Sequence, residues 1–239
     1  MPRDHPSPFS SPPALRLRAA LPWTGLAAVA LLAVTLLGLL LLASPSLLRA
    51  DQALVRTVND VHSPAADALA RAIDVGLGPL GSAILFALLV ALSLARHRCG
   101  RDALWTAAVI GLPWLAAQLV KQVVRRDRPD LADLLHVLVT QPHSTSFPSG
   151  HTAFAAALAC ALVLALPRGR GRRLAVAGGV LFVLLVAWSR VALGMHHVSD
   201  VTASILLVPV IALCTARTLA ALGLSRSSGS GARSVPRPR

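Results

Sequence analysis

Six runs of uncharged, mostly apolar residues divide the chain, and charged side chains bound each of them. A transmembrane helix needs about 20 predominantly apolar residues. The first three runs reach that length, whereas the last three are shorter and would each extend into flanking polar residues. The pattern predicts an all-α integral membrane bundle of six transmembrane helices. The runs are residues 19–48, 75–95, 103–120, 152–167, 174–189 and 201–216.

The first run has some features of a secretory signal, because arginines precede it and small residues occur in the stretch LLASPS near its end. A signal peptide has a hydrophobic core of about 7–15 residues, which is much shorter than this run. We therefore expect the first helix to remain uncleaved.

Composition supports a membrane protein, since the chain is 55% hydrophobic and 14% charged, with a mean hydropathy of +0.66. The formal net charge of +13 could indicate nucleic-acid binding. The arginines, however, lie at the ends of apolar runs, as they do at the cytoplasmic ends of membrane helices, and do not mark one face of a soluble domain. The sequence therefore predicts membrane lipids as partners and no nucleic acid.

The distribution of arginine predicts the topology in the plasma membrane. Arginines dominate both termini and the loops 96–102 and 168–173, which six spans place together on the cytoplasmic side. Loop 49–74 mixes arginines with four aspartates and is expected outside. The tails 1–18 and 223–239, rich in Pro, Ser, Gly and Arg, are expected to be disordered, leaving 19–222 as the membrane domain.

With the N-terminus inside, three polar clusters fall on the extracytoplasmic face. The first contains Lys121, the only lysine among the 23 basic residues, and Arg128, which precedes Pro129. An ammonium and a guanidinium at this spacing can converge on one phosphate. The neighbouring Arg125 and Arg126 are more typical of a basic flank at the membrane interface.

The second cluster is the stretch PSGH, residues 148–151, where a tight turn opens into the fourth helix. The start of a helix offers free N–H groups and a positive dipole end to phosphate oxygens. Ser149 and Gly150 could therefore bind phosphate, and His151 could transfer a proton. The alternative is an N-capping turn with an ordinary surface histidine.

The third cluster contains Arg190, His196, His197 and Asp200. If the segment is helical, His196 and Asp200 share one face because they are four residues apart, whereas His197 is rotated away from the carboxylate. A carboxylate bonded to one ring nitrogen leaves the other nitrogen basic. We predict that His196 is a nucleophile oriented by Asp200; the alternative is a capped helix start with two interfacial histidines.

Together the motifs resemble the signature of the type 2 phosphatidic acid phosphatase (PAP2) superfamily, which implies a PAP2/haloperoxidase-like helical core. The motifs are K-x6-R-P (Lys121, Arg128, Pro129), P-S-G-H (148–151) and S-R-x5-H-x3-D (Ser189, Arg190, His196, Asp200).

The resemblance implies a reaction for each cluster. His196, held by Asp200, attacks phosphorus to form a phosphohistidine, and His151 protonates the leaving group. Lys121, Arg128, Ser149, Gly150 and Arg190 would bind the phosphate oxygens. It implies no metal ion or cofactor, and the sequence shows neither clustered carboxylates nor a zinc-type His/Cys spacing. We expect both histidines to titrate near neutrality and to give a bell-shaped pH–rate profile.

The predicted function is hydrolysis of the terminal phosphate of a lipid phosphate or polyprenyl diphosphate at the extracytoplasmic face. Transfer of the phosphate to another acceptor is the alternative within enzymes, and a small transporter is an alternative from another class. Transporters place ionisable groups near the bilayer midplane, whereas these lie at the ends of spans. Loop 129–147, which carries His136 and His143, could lie on the membrane and gate lipid entry.

Overall fold

Helices account for all the regular structure in the computed structural model, which describes residues 12–97 and 100–226. In these two stretches there are eight α-helices and a short 3-10 turn, Leu131–Asp133. The α-helices are α1 (Pro13–Leu42), α2 (Pro45–Asp60), α3 (Pro64–Gly76), α4 (Pro79–His97), α5 (Gly100–Val124), α6 (Gly150–Ala165), α7 (Arg170–Ala192) and α8 (Val198–Ala221).

The all-α membrane class predicted from the sequence is confirmed. Helices α1, α4, α5, α7 and α8 are long and apolar enough to cross a bilayer, and α6 is apolar but shorter. Six spans therefore remain a prediction. Helix α1 begins at Pro13, inside the predicted tail 1–18, while residues 1–11 and 227–239 of the two predicted tails lie outside the described residues.

The first apolar run is not one helix, contrary to the sequence-based prediction. Helix α1 ends at Leu42, and α2 starts at Pro45 after the capping residue Ser44. The Ser44 side chain accepts the Leu47 N–H, and proline fits the first helical position because no N–H is needed there. The end of the run therefore belongs to a second helix.

The polar segment predicted as a loop, residues 49–74, is also largely helical. It contains most of α2 and α3, and Ser63 caps α3 before Pro64 just as Ser44 caps α2. Both helices pack against α7, and α2 also contacts α8. Charged side chains of this segment are thereby brought to the end of the bundle where the motifs lie.

Helix α6 occupies the centre of the bundle, packed against α5, α7 and α8, while α1 covers α5 and α8. Its buried face is made largely of alanines, including Ala153, Ala155 and Ala157. Small side chains allow membrane helices to approach closely. This packing holds the start of α6 against the ends of three neighbouring helices.

Side chains tie the long connection between α5 and α6 to its surroundings. Asn59 of α2 donates to the carbonyls of His136 and Ala192, each at 2.9 Å. Gln141 donates to the carbonyls of Pro129 (2.9 Å) and Gly194 (2.8 Å). The connection is therefore fastened to α2 and to the turn between α7 and α8, next to the third motif.

Candidate active site

The three sequence motifs meet at one end of the bundle, as the parity of the predicted spans required. Lys121 at the end of α5 donates to the Thr145 carbonyl at 3.1 Å. Arg128 donates to the Met195 carbonyl at 2.5 Å, and the Ser149 N–H donates to the Asp200 carbonyl at 3.1 Å. These bonds connect each motif to its neighbours.

His196 is buried, with 3% of its surface exposed, and two charged partners flank its ring. Its Nδ1 lies 3.3 Å from Asp200 Oδ2, and its Nε2 lies 3.5 Å from Arg128 Nη1. A carboxylate can only accept and a guanidinium can only donate, so both partners assign the proton to Nδ1 and a lone pair to Nε2. The nitrogen with the lone pair faces Arg128.

The contact between His196 and Asp200 arises differently from the sequence-based explanation. His196 lies in the turn before α8, and Asp200 in the first turn of that helix reaches back towards it. Asp200 Oδ2 also accepts the main-chain N–H of His197 at 2.9 Å. The ring Nδ1 of His197 lies 3.6 Å from the same oxygen. The prediction that His197 is rotated away from the carboxylate is therefore wrong.

Burial lowers the pKa of His196 to about 3, against the opposing effect of its hydrogen bond to Asp200. The positive charges of Lys121 and Arg128 lower the pKa of His196 further. The ring is thus neutral over the whole range in which an ordinary histidine titrates. The expectation that both histidines titrate near neutrality is wrong for each, because the sequence does not show how deeply the rings are buried: burial, and then the charge of Arg190, also lower the pKa of His151 to about 4.

Arg126 is a buried partner of Asp200 and not the interfacial flank that its position suggested. Only 1% of its surface is exposed; Nη1 donates to Asp200 Oδ1 at 3.0 Å, and Nη2 donates to Asp51 Oδ2 at 2.9 Å. Arg125, by contrast, is exposed and fits the flank interpretation. Two adjacent arginines of the first motif therefore have opposite surroundings.

The second predicted histidine, His151, begins α6 and lies beside Asp74 of α3. Its Nε2 is 3.3 Å from the main-chain carbonyl of Asp74 and 3.8 Å from its Oδ1. Because a carbonyl only accepts, this contact assigns a proton to Nε2. Asp74 Oδ1 also accepts from Arg190 Nη1 at 2.5 Å, so one carboxylate serves both residues.

Ser149 is the N-cap of α6 and is fully buried. Its Oγ accepts from the Thr152 N–H at 3.5 Å and from the Thr152 hydroxyl at 3.1 Å, which leaves the hydroxyl hydrogen of Ser149 available to donate. A Cβ on Gly150 would lie 3.2 Å from Gln118 Nε2, so the turn has little room for a side chain. The N-terminal end of α6 thus retains the features of an anion-binding turn.

An open cavity of about 470 Å³ adjoins Arg128 on the surface of the connection between α5 and α6. Polar groups dominate its lining, which consists of Asp127, Arg128, Gln141, Pro142, His143, Ser144 and Thr145. Arg128 donates to the Ser144 carbonyl at 3.0 Å and to its hydroxyl at 2.9 Å. The same guanidinium therefore borders the cavity and faces His196.

Sequence reasoning missed Asp51, Asp74 and Arg126 as parts of this site. The two aspartates entered only the charge count of a predicted loop, although the Ser-Pro pairs at 44–45 and 63–64 were readable signals for helices there. Among residues 12–97 and 100–226, no three His, Cys, Asp or Glu side chains are grouped as metal ligands. The charge partners found here are instead arginine–carboxylate pairs.

Comparison with known proteins identifies a matching family and several similar enzymes. A family model described as the PAP2 superfamily matches residues 102–223. The chain is 36% identical over 124 residues to decaprenylphosphoryl-5-phosphoribose phosphatase of Mycobacterium tuberculosis, covering 52% of this chain and 64% of that protein. It is 39% identical over 106 residues to phosphatidylglycerophosphatase B of Bacillus subtilis, covering 42% of this chain and 49% of that protein. It is 30% identical over 125 residues to undecaprenyl-diphosphatase BcrC of B. subtilis, covering 52% and 62%.

The fold also resembles a crystal structure of a transmembrane PAP2 type phosphatidylglycerolphosphate phosphatase from B. subtilis. The TM-score is 0.64 with 24% sequence identity, and the similarity covers 77% of this chain and 92% of the other. In each of the three sequence matches, this chain spans less than two thirds of the relative's length.

Proposed function

Because the chain belongs to the PAP2 superfamily, we propose that it is a membrane phosphatase that removes the terminal phosphate of a lipid phosphate or polyprenyl diphosphate. One observation carries this proposal. The buried His196 is held at Nδ1 by Asp200, while its Nε2 lone pair faces the cationic Arg128. An oriented neutral imidazole beside a fixed cation is the arrangement required of a nucleophile that attacks phosphorus.

In the first step, Nε2 of His196 forms a bond to phosphorus as the bond from phosphorus to the leaving oxygen breaks. The leaving oxygen takes a proton from the imidazolium form of His151, which becomes a neutral imidazole; the Asp74 carboxylate, 3.8 Å from Nε2, favours that protonated form. Lys121, Arg128 and Arg190 stabilise the charge on the three remaining phosphate oxygens. Asp200 stabilises the positive imidazole that results from the attack.

In the second step, water attacks the phosphohistidine and the bond between phosphorus and Nε2 breaks. His151, now without its proton, accepts one from the water, so inorganic phosphate leaves and both histidines return to their starting states. His151 suits this step because 20% of its side chain is exposed, compared with 3% for His196. Water can therefore reach His151, whereas His196 is shielded from solvent.

The proposal places the site on the extracytoplasmic face, with both termini in the cytoplasm. This orientation is supported by Arg96 near the end of α4, Arg101 at the start of α5 and the arginines of segment 168–173, which lie at the helix ends farthest from the motifs. The substrate would reach Arg128 from the membrane surface through the open cavity beside it.

The proposed substrate class is a lipid whose phosphate is terminal. The names of the three similar enzymes mention a decaprenyl-linked phosphoribose, a phosphatidylglycerophosphate and an undecaprenyl diphosphate. All three offer a terminal phosphate on a lipid-anchored group, which the cations at the end of the bundle could bind.

The decisive experiment measures phosphate release from these lipid phosphates in detergent, with EDTA present, for the wild type, His196→Ala and His197→Ala. We expect release that survives EDTA, is lost in His196→Ala and persists in His197→Ala. The His197 variant is a matched control because it keeps the main-chain N–H that Asp200 accepts. Release that requires a metal ion, or that survives in His196→Ala, would refute the mechanism.

The same assay separates hydrolysis from phosphate transfer. When glycerol or a second lipid alcohol is added, a hydrolase continues to release inorganic phosphate. A transferase instead places the labelled phosphate on the added alcohol, and that product would replace the hydrolytic proposal.

A further inference from the structure

We propose that Arg126 and Asp51 are positioning residues, which fix the orientation of the Asp200 carboxylate and thereby the tautomer of His196. The catalytic consequence rests on the proposed function. The structural consequence does not, because it concerns only which ring nitrogen of His196 carries the proton.

The two oxygens of Asp200 have separate partners. Oδ1 accepts from Arg126 Nη1 at 3.0 Å, whereas Oδ2 lies 3.3 Å from His196 Nδ1 and 2.9 Å from the His197 N–H. The carboxylate is fully buried, so water cannot replace a lost partner. Because one oxygen is held by the arginine, the other is held towards the imidazole.

Asp51 fixes the arginine in turn. Arg126 Nη2 donates to Asp51 Oδ2 at 2.9 Å, and Nη1 donates to the Ser199 hydroxyl at 2.5 Å. Ser199 donates its hydroxyl to Asp51 Oδ2 and its N–H to Asp51 Oδ1, the latter at 3.2 Å. The two Nη atoms of the planar guanidinium are thus held between Asp51 of α2 and the first turn of α8.

Charge compensation explains why an arginine is needed between these two buried acids. A buried carboxylate is costly unless a cation and hydrogen bonds compensate it. Arg126 compensates Asp200 and Asp51 together, while Arg190, one of the three cations proposed to bind the phosphate, pairs with Asp74. Arg126 is 1% exposed, and both of its Nη atoms are occupied, so its role operates through Asp200 and not through the substrate.

The test compares Arg126→Gln with the double variant Asp51→Asn/Arg126→Gln. The single change leaves two buried carboxylates without their cation and is expected to destabilise the fold. The double change removes one charge of each sign, so the net charge around Asp200 equals that of the wild type while its clamp is missing. Arg125→Gln is the matched control, because Arg125 is the exposed neighbour in the same motif. Arg126→Lys keeps the charge and loses the fork.

The first measurement is the ¹⁵N spectrum of histidine-labelled protein in detergent micelles, with His196 assigned by its absence in His196→Asn. Wild type and Arg125→Gln should show a neutral ring protonated at Nδ1. The double variant should show a mixture of the two neutral tautomers, and Arg126→Lys an intermediate state. A double variant that melts near the wild-type temperature and keeps the pure Nδ1–H tautomer would overturn the proposal.

The second measurement is kinetic and uses phosphatidylglycerophosphate and undecaprenyl diphosphate as probes. We expect kcat of the folded double variant to fall roughly 10–100-fold, as when the group orienting a catalytic histidine is lost, with KM changed by less than about twofold. An unchanged kcat would overturn the positioning role. If the wild type itself forms no phosphoenzyme with either probe, the proposed function fails, while the tautomer measurement still decides the role of Arg126.

Discussion

The two histidines of the site have the same chemical partner, an aspartate, in opposite surroundings. His196 and Asp200 are both buried, and Asp200 is bound in turn by the buried Arg126. His151 and Asp74 keep 20% and 24% of their side chains exposed, and Asp74 is shared with Arg190. The pair His196–Asp200 is therefore closed to water, and the pair His151–Asp74 is open to it.

This difference matches the two tasks that a phosphohistidine mechanism assigns. A nucleophile must present one nitrogen with a lone pair in a fixed direction, which burial and a clamped carboxylate provide. A proton donor must exchange protons with the leaving group and with water, which requires exposure. The carboxylates therefore differ: Asp200 orients the His196 ring, and Asp74 holds Arg190, which we propose binds phosphate, beside the His151 ring.

The largest expected effect separates the two histidines directly. His196→Ala should abolish phosphoenzyme formation, because the proposed mechanism assigns the attack on phosphorus to Nε2 of this residue. His151→Ala should slow the first step by roughly 10²–10⁴-fold with a lipid phosphate. The same variant should slow the first step much less with p-nitrophenyl phosphate, whose leaving group needs little protonation. Equal losses on both substrates would argue against the proton-donor role, and the measurement is quench-flow with ³²P-labelled lipid and release of nitrophenol.

A smaller effect is expected from the open pair. Asp74→Asn keeps the main-chain carbonyl that contacts His151 but removes the charge that holds Arg190, so kcat/KM should fall about tenfold. Asp67→Asn on the same helix is the control, since its carboxylate pairs with His62 away from the motifs. The measurement is steady-state kinetics. An equal fall in kcat/KM for both variants would contradict a specific role of Asp74.

The closed pair predicts a dependence of stability on pH. The pKa of His196 is lowered in the folded protein, so its contribution is complete above the unfolded value and is lost as the pH falls from about 6.5 towards 3. Relative to His196→Asn, the wild type should lose up to about 2 kcal/mol of unfolding free energy between pH 7 and pH 5. The difference in melting temperature between the two proteins, followed over this range in one detergent, tests this. A constant difference would mean that the ring is not held neutral.

The smallest effect should leave both histidine pairs untouched and concern lipid access. Leu135, in the connection between α5 and α6, is 77% exposed, whereas its neighbours Leu131 and Leu134 pack beneath Gly194. If Leu135 rests in the membrane surface, Leu135→Ser should raise KM a few-fold for long-chain substrates in vesicles, about 1 kcal/mol. Short-chain soluble substrates should be unaffected. An equal change in KM for long-chain and short-chain substrates would exclude a role of Leu135 in membrane contact.

The sequence predicted the helical membrane class and the meeting of the three motifs because both follow from local signals. Apolar runs predict spans, and the parity of spans places Lys121, His151 and Asp200 at the same end. The His196–Asp200 contact was also predicted, although for the wrong reason. A turn followed by a helix start brings the two together as effectively as one helical face would.

Burial and distant charge pairs could not be predicted in the same way. Arg125 and Arg126 are adjacent and chemically identical, and only the packing of α2 against α8 makes one exposed and the other buried. Asp51 is 75 residues from Arg126, and Asp74 is 116 residues from Arg190. No spacing rule joins residues so far apart, whereas the helices that carry the two aspartates were signalled by Ser44–Pro45 and Ser63–Pro64.

Asp51 and Asp74 both precede residue 102, where the similarity to the family begins, yet each balances an arginine within it. The part of the chain that matches the family model therefore depends on two acids outside it to balance the charges of its arginines. A chimera that exchanged residues 45–76 with another sequence would have to supply two acids at matching places, or leave Arg190 without Asp74 and Arg126 with Asp200 as its one remaining acid. Over evolutionary time, each acid and its arginine should be inherited, replaced or lost as a pair.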